Sequence, residues 1–451
     1  MKTIENLPGA YRRLKSYIRF MVDGLYYKNV QFIGTENIPA VGTPLLIVSD
    51  HQNSLNDALG IMLSVDDRKV HFIARADAFK IHPLATKFLY WLGLLPAFRI
   101  AYEGVDALKD NGDTFRVSEQ RLLDGKTVAL YPEAGHQDRH WLGNFTYGYT
   151  RLAFEAAEMG NFEKEIFILP SCNHYSNYRG VRNSMLIKYG TPVSLAPYYE
   201  LYKTKPRTAQ REVNKIVRAQ IKGMMLNIED HDNYKSIDFL RESSFGKEWA
   251  ADHGFDSSVL SSKLESDRLL VEELASRKEE VQPLLDETAE LVSRMEELAI
   301  VEEDIIDPPS RFEILEDTLL VILLSPIAVF ALWPSVFCWL IPKYFSEKLG
   351  DKMLESSFVL ALNVLFIIPI CAVLTLVFTW IWGGFLRAVA HALLLPFLCL
   401  FEWTYYKMVV RLIQKIRYRK AAKKGLVSEV EKKHHNLFAG LRSALSSEVS
   451  E

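Results

Sequence analysis

Residues 318–341 and 356–382 hold 24 and 27 consecutive positions without a charged side chain. Each run exceeds the ~20 residues that cross ~30 Å of hydrocarbon, and in that solvent a backbone satisfies its own N–H and C=O groups only as a helix or a closed barrel. Both are therefore expected as membrane-spanning helices. A third segment, 385–406, is apolar but interrupted by His391 and Pro396. The basic stretch beyond it, from Arg411 through Lys415, Arg417, Arg419, Lys420 and Lys423 to Lys424, belongs on the cytosolic side by the positive-inside rule. Two spans make a hairpin whose connecting loop, with Lys343, Lys348 and Lys352, lies on the far face. Residues 385–406 are then expected at the interface, or dipping in without crossing, with three true spans as the alternative.

Ahead of this region the chain alternates short apolar runs with helical periodicity. Strands are expected near 44–49, 70–74, 127–131, 166–170 and 184–189, and helices near 54–64, 83–92, 113–123 and 148–159, the pattern of an α/β domain. Residues 9–27 place Tyr11, Leu14, Tyr17, Ile18, Met21 and Leu25 at helical spacing with Arg12, Arg13, Lys15 and Arg19 among them. That pattern fits a helix lying in a membrane interface, in contact with anionic lipid, or one packed on the following domain. Residues 206–310 read as helical and charged. Leu260, Leu264, Val271 and Leu274 form one apolar stripe and Leu284, Leu291, Met295 and Leu298 another, with Pro283 dividing them into a helical hairpin. The expected organisation is an amphipathic helix at 1–27, an α/β domain at 28–205, a helical region at 206–310, a membrane domain at 311–406 and a basic cytosolic tail at 407–451.

A formal charge of −3 over 451 residues argues against a nucleic-acid partner. The cysteines at 172, 338, 371 and 399 have neither metal-ligand spacing nor a paired framework, so no metal is expected. The N-terminus lacks the apolar core of a signal peptide, and the front of the chain is expected to stay in the cytosol.

The chemistry concentrates in Asp50-His51-Gln52-Asn53-Ser54-Leu55-Asn56-Asp57, directly after the apolar run Pro44–Ser49. A strand ending there delivers His51 to an edge of the fold, and a helix opening at 53–57 brings Asp57 back beneath the ring. Histidine titrates near ~6.5, and a carboxylate on one ring nitrogen fixes the tautomer that leaves the other as a general base. The bland alternative makes His51 a turn residue and Ser54 or Asn53 a helix cap. His136, His140 and His174 are other bases in principle, without the strand, histidine and capped-helix context.

Three further segments follow in order: Gly-Leu-Leu-Pro-Ala-Phe-Arg at 93–99, Tyr-Pro-Glu-Ala-Gly-His-Gln-Asp-Arg at 131–139 and Ile-Leu-Pro-Ser-Cys-Asn-His-Tyr at 168–175. With the His/Asp block these resemble the four ordered motifs of the phospholipid/glycerol acyltransferase (PlsC-like) family over residues 28–200. The third is most similar to the branch of glycerol-3-phosphate/dihydroxyacetone-phosphate acyltransferases, which also separates its histidine and aspartate by five residues. Most of the family has four, where this chain places Asn56, and Ala134 replaces the first glycine of the usual third block.

The resemblance implies a PlsC-like domain, a mixed sheet flanked by helices, followed by the helical region and the transmembrane hairpin. It also implies a membrane-bound O-acyltransferase on the cytosolic face, moving a fatty acyl chain from acyl-CoA or acyl carrier protein to glycerol 3-phosphate or dihydroxyacetone phosphate. The acyl thioester is a co-substrate, and no cofactor is implied. Lysophosphatidate is the rival acceptor, and an acyl thioesterase or a non-catalytic membrane scaffold are readings from other classes. His51 and Asp57 take the catalytic roles. Arg99 would bind the acceptor's phosphate, its planar fork matching phosphate oxygens, with Arg75 as a second candidate. Glu133 would bind the acceptor's hydroxyl, and Gly135 would let backbone amides approach the oxyanion. Arg139 would bind phosphate or brace the loop through Asp138.

Overall fold

The computed structural model describes residues 7–76, 79, 82–97, 108–133, 139–178, 180–349 and 354–446. The chain divides into two compact units, one of Met1–Leu226 with Gly350–Leu360, the other of Asn227–Leu349 with Ala361–Glu451.

The first unit is built on an eight-stranded mixed sheet: β1 (Asn29–Ile33), β2 (Leu45–Ser49), β3 (Val70–Arg75), β4 (Leu94–Ala97), β5 (Thr127–Leu130), β6 (Phe167–Tyr175), β7 (Ser184–Tyr189) and β8 (Val193–Ser194). The spatial order is β1-β7-β6-β2-β5-β3-β4, with β8 pairing β6 off that path. The five expected strands are present. β1, β4 and β8 are additional, too short or too polar to stand out as periodic runs. All five residues of β2 are buried, as befits a strand covered on both faces. It lies between β5 and β6, both parallel to it. β6 continues past the end of β2 to pair antiparallel with β7.

The helices expected in this domain are α1 (Gly9–Arg19), α2 (Leu55–Ser64), α3 (Pro83–Leu92) and those at Leu108–Leu123 and Gly148–Met159. One face of the sheet buries Leu46, Val48, Val128 and Ile168 against Leu152, Phe154 and Ala156, and against Val213, Val217 and Ile221 of Pro206–Met224. Each fully buried Leu, Ile, Val or Phe among them contributes about 1.5–3 kcal/mol. On α2, Gly60 leaves room for Ile187 and Met185 of β7, which a Cβ would strike. α1 packs onto the unit, with Tyr11, Ile18 and, beyond its end, Met21 and Leu25 buried and Tyr11 edge-on to Trp91. Two basic residues expected among lipid-facing ones turn inward. Lys15 donates to Val65 O at 2.6 Å, and Arg19 reaches Leu63 O and Asp66. Arg12 and Arg13 stay exposed.

In the second unit the helical hairpin forms from Leu260–Ser276 and Lys278–Leu298, and it breaks at Arg277 rather than at Pro283. Pro283 lies early in the second helix, where its missing N–H removes one bond without ending the helix. The residues expected as a separate basic tail are tied into this unit. Ser428–Ser446 forms a helix whose Ala444 O accepts from Arg277 at 2.7 Å and whose His434 meets Glu302 at 3.0 Å. Arg411 makes a two-pronged pair with buried Asp304, at 2.9 and 2.7 Å, and Lys415 pairs with Asp317 at 2.7 Å.

Among the described residues, three helices are long and apolar enough to cross a membrane: Arg311–Leu332, Val359–Gly383 and Phe385–Lys423. The segment expected to stop at the interface is thus the start of a 39-residue helix, separated from its predecessor by Gly384 at a φ of 83°. Val336–Phe345 is a shorter apolar helical stretch. Along the helix Arg311–Leu349 the partners on Phe385–Lys423 change order. Asp317, Val321 and Phe330 meet Lys415, Tyr405 and His391, a descending series, whereas Cys338 and Trp339 meet Cys399 and Trp403, an ascending one. The order of partners therefore reverses between Phe330 and Cys338.

Candidate active site

The register Val48↔Leu130 and Ser49↔Ser171 aligns the carboxyl ends of β2 and β5 beside the middle of β6. Asp50-His51 and Tyr131-Pro132-Glu133 leave the sheet together there, at the strand ends where open α/β sheets bind ligands. α2 starts four residues after His51, so its first turn places Asp57 under the ring. His51 Nδ1 lies 2.8 Å from Asp57 Oδ2. The same oxygen accepts the backbone N–H groups of Gln52 and Asn53, both at 2.9 Å, and Oδ1 accepts Tyr175 OH at 2.7 Å. Asp57, not Asn56, faces the histidine. A carboxylate accepts and does not donate, so Nδ1 carries the proton and Nε2 is the basic nitrogen.

The His51 ring stacks on Tyr131, centroids 4.2 Å apart and planes 15° from parallel. Its backbone N–H donates to Glu133 Oε1 at 2.9 Å, while Gly143 N–H donates to Oε2 at 2.8 Å. Glu133 therefore joins the His51 loop to the loop after β5, and burial raises its pKa. The expected contact with an acceptor hydroxyl falls to whatever lone pairs these two bonds leave. Asp50, fully buried, accepts Asn173 N–H at 2.7 Å and Ser49 OH at 3.2 Å. Burial, with Glu133 and Asp57 nearby, pushes its carboxyl well above the ordinary carboxylate range.

Of the other sequence-derived candidates, Arg99, Gly135, His136 and Asp138 lie outside the described residues. Arg75 closes β3, two strands from β2, and its side chain is also outside them. Arg139 is exposed and lies over the Trp141 ring at 5.0 Å. His140 is buried and meets Tyr178 OH at 2.9 Å, and that hydroxyl donates to Gln52 at 2.9 Å. His174 packs its ring near that of His140, centroids 5.6 Å apart. Ser54 does not cap α2; its backbone sits at a φ of 48° and its side chain makes no cap bond.

The geometry is that of a carboxylate-oriented base at a strand end, without a nucleophilic serine elbow. Compared with known families, residues 29–173 match the family described as Acyltransferase. This part of the chain is an acyltransferase domain. Among solved structures, the crystal structure of the 1-acyl-sn-glycerophosphate (LPA) acyltransferase PlsC from Thermotoga maritima is similar. The match has 16% identity, covers 47% of this chain and 78% of that one, and has a TM-score of 0.34. A comparison with curated proteins finds no match.

The acyltransferase domain also uses residues that sequence reasoning did not single out. Tyr175 and Tyr131 enclose the His51–Asp57 pair, one donating to Asp57 and the other stacked on the His51 ring, and burial raises both phenols well above their ordinary pKa, which keeps them neutral. Tyr175 ends a motif already conspicuous in the sequence, and Tyr131 directly precedes Pro132-Glu133. Their roles depend on strand register, which neither position reveals alone.

Proposed function

We propose that the protein is a membrane-anchored O-acyltransferase that moves a fatty acyl chain from an acyl thioester to a phosphorylated glycerol-type acceptor, glycerol 3-phosphate or dihydroxyacetone phosphate. The observation that carries the reading is the His51–Asp57 pair, fixed with Nε2 as the basic nitrogen. His51 takes the proton of the acceptor hydroxyl as its oxygen attacks the thioester carbon. The C–S bond then breaks, and the thiolate leaves with the proton returned from His51. Asp57 stabilises the imidazolium between these steps. Arg99 is assigned to the acceptor's phosphate, with Arg75 and Arg139 as further cationic candidates, and backbone amides near Gly135 to the oxyanion. The donor is acyl-CoA or acyl carrier protein. The three apolar helices support membrane attachment, and the cytosolic supply of thioesters places the domain on that face.

Lysophosphatidate is the competing acceptor, since the family-level match applies equally to it. The test is a membrane assay offering labelled acyl thioester with glycerol 3-phosphate, dihydroxyacetone phosphate and lysophosphatidate in parallel. Acylation of either small phosphate above lysophosphatidate is expected. Preference for lysophosphatidate would move the assignment to the second acylation, and thioester hydrolysis at one rate with or without acceptor would replace transfer by a thioesterase.

A further inference from the structure

The N-terminus of α2 carries orphan amides that every helix leaves at its start; Asn53 O takes the Asn56 N–H at 3.0 Å, but the local sequence supplies no side-chain cap for Leu55 N–H. Ser54, in the capping position, makes no such bond. The bond comes instead from a residue 302 positions downstream: Leu55 N–H donates to Ser357 Oγ at 3.0 Å. The Ser357 hydroxyl in turn donates to Asn53 O at 3.2 Å. Its neighbour Ser356 accepts Asn56 Nδ2 at 3.0 Å and meets the Tyr26 hydroxyl at 2.9 Å, and Tyr26 OH lies 3.1 Å from Ser356 O. Both serines are buried, at 4% and 3% exposure, and both belong to the same compact unit as the site. They lie in the first turn of the helix Leu354–Leu362, where the apolar segment Val359–Gly383 begins.

We propose that Ser357, seconded by Ser356, is a positioning residue that caps α2 in trans and so holds Asp57 against His51. The bonds fall on residues 53, 55 and 56, inside the block that joins the two catalytic groups. Asn53 and Asp57 are linked directly by the Asn53 N–H bond. Removing the Ser357 hydroxyl strands one partly buried donor, Leu55 N–H, and leaves Asn53 O with the Asn56 N–H alone, and the residues that relax are those that set the ring's orientation. The base of the acyltransferase thus depends on the start of an apolar helix distant in sequence.

The proposal rests on the acyltransferase reading for its kinetic arm alone. Full-length Ser357→Ala and Ser357→Thr proteins in the same membranes should be compared with wild type by hydrogen exchange and by turnover. Ser357→Ala is expected to speed exchange across residues 52–57 at least tenfold, leaving β2 and β5 unchanged, and to lower kcat at least tenfold with both KM values within twofold. Threonine keeps the hydroxyl and should restore both. Wild-type exchange at 52–57 in Ser357→Ala would overturn the proposal, as would faster exchange there with unchanged kcat. Failure of threonine to rescue, or a rise spread evenly over β2, β5 and β6, would likewise overturn it by assigning Ser357 to packing or global stability. If no acceptor is acylated by the wild type, the proposed function fails while the exchange comparison still decides the cap.

Discussion

Asp57 holds four hydrogen bonds, three of them on one oxygen. That concentration makes the carboxylate both a structural knot and an electrostatic partner. The two roles separate by substitution. In Asp57→Asn the amide oxygen can keep the Gln52, Asn53 and His51 donors while its NH₂ turns toward the Tyr175 hydroxyl, which can accept. The loop survives and the charge that supports an imidazolium does not. We expect His51→Ala to lower kcat by roughly 10²–10⁴, the usual range for loss of a general base, and Asp57→Asn to cause a smaller loss that still exceeds about tenfold. Melting curves close to wild type would accompany both. A loss below about tenfold in well-folded His51→Ala protein would remove His51 from the mechanism.

At the level of elements, the site depends on how β2, β5 and β6 end. Asp50, the residue directly after β2, ties that strand's end to β6 through Asn173, a buried carboxyl doing the work of a neutral hydrogen-bonding group. Its folded pKa lies well above the ordinary value, chiefly through burial. The folded state therefore holds this proton more tightly than the unfolded chain, whose aspartate titrates near about 3.9. The stability from Asp50 is complete below that pH and is lost as pH rises toward the folded value. Asparagine keeps an accepting oxygen and never ionises. Asp50→Asn should accordingly melt above wild type at pH 8, by roughly 2–4 °C per kcal/mol relieved in a unit of this size, with the gap closing toward pH 4. A gap that widened on acidification would show that the carboxylate form is the stabilising one.

On the scale of the whole chain, the reversed order of partners between Phe330 and Cys338 changes what the apolar region implies for topology. A run of 24 uncharged residues would cross once and leave Ser346 on the far side. With the direction reversed, Val336–Phe345 returns beside the same helix it approached, and Ser346 comes back to the entry face. The single-residue link at Gly384 then marks the opposite end of the bundle. With catalysis in the cytosol, single cysteines at Thr208, Ser346 and Ser443 in a cysteine-free background should all resist an impermeant thiol reagent in sealed cells, and one at Phe385 should react. Labelling at Ser346 would restore the simple two-span hairpin. Labelling at Ser443 without Thr208 would make Phe385–Lys423 a crossing that carries the C-terminus outward.

The sequence by itself determined the α/β domain, most of its strands and helices, the existence of apolar helices and the pairing of His51 with Asp57. These follow from local periodicity, charge-free length and a motif contained within eight residues. Strand β2 was legible because a doubly covered strand is a continuous apolar run, and α2 because its apolar spacing survives the polar block before it. Only the tertiary structure decided which neighbours complete that motif. Tyr175, Tyr131, Glu133 and Ser357 reach it through strand register and through a contact across three hundred residues, and no local pattern encodes such a meeting. The inward turn of Lys15 and Arg19 and the pairing of Arg411 with Asp304 have the same origin. A basic side chain reads alike on a surface or beside a buried carboxylate until packing brings the partner to it.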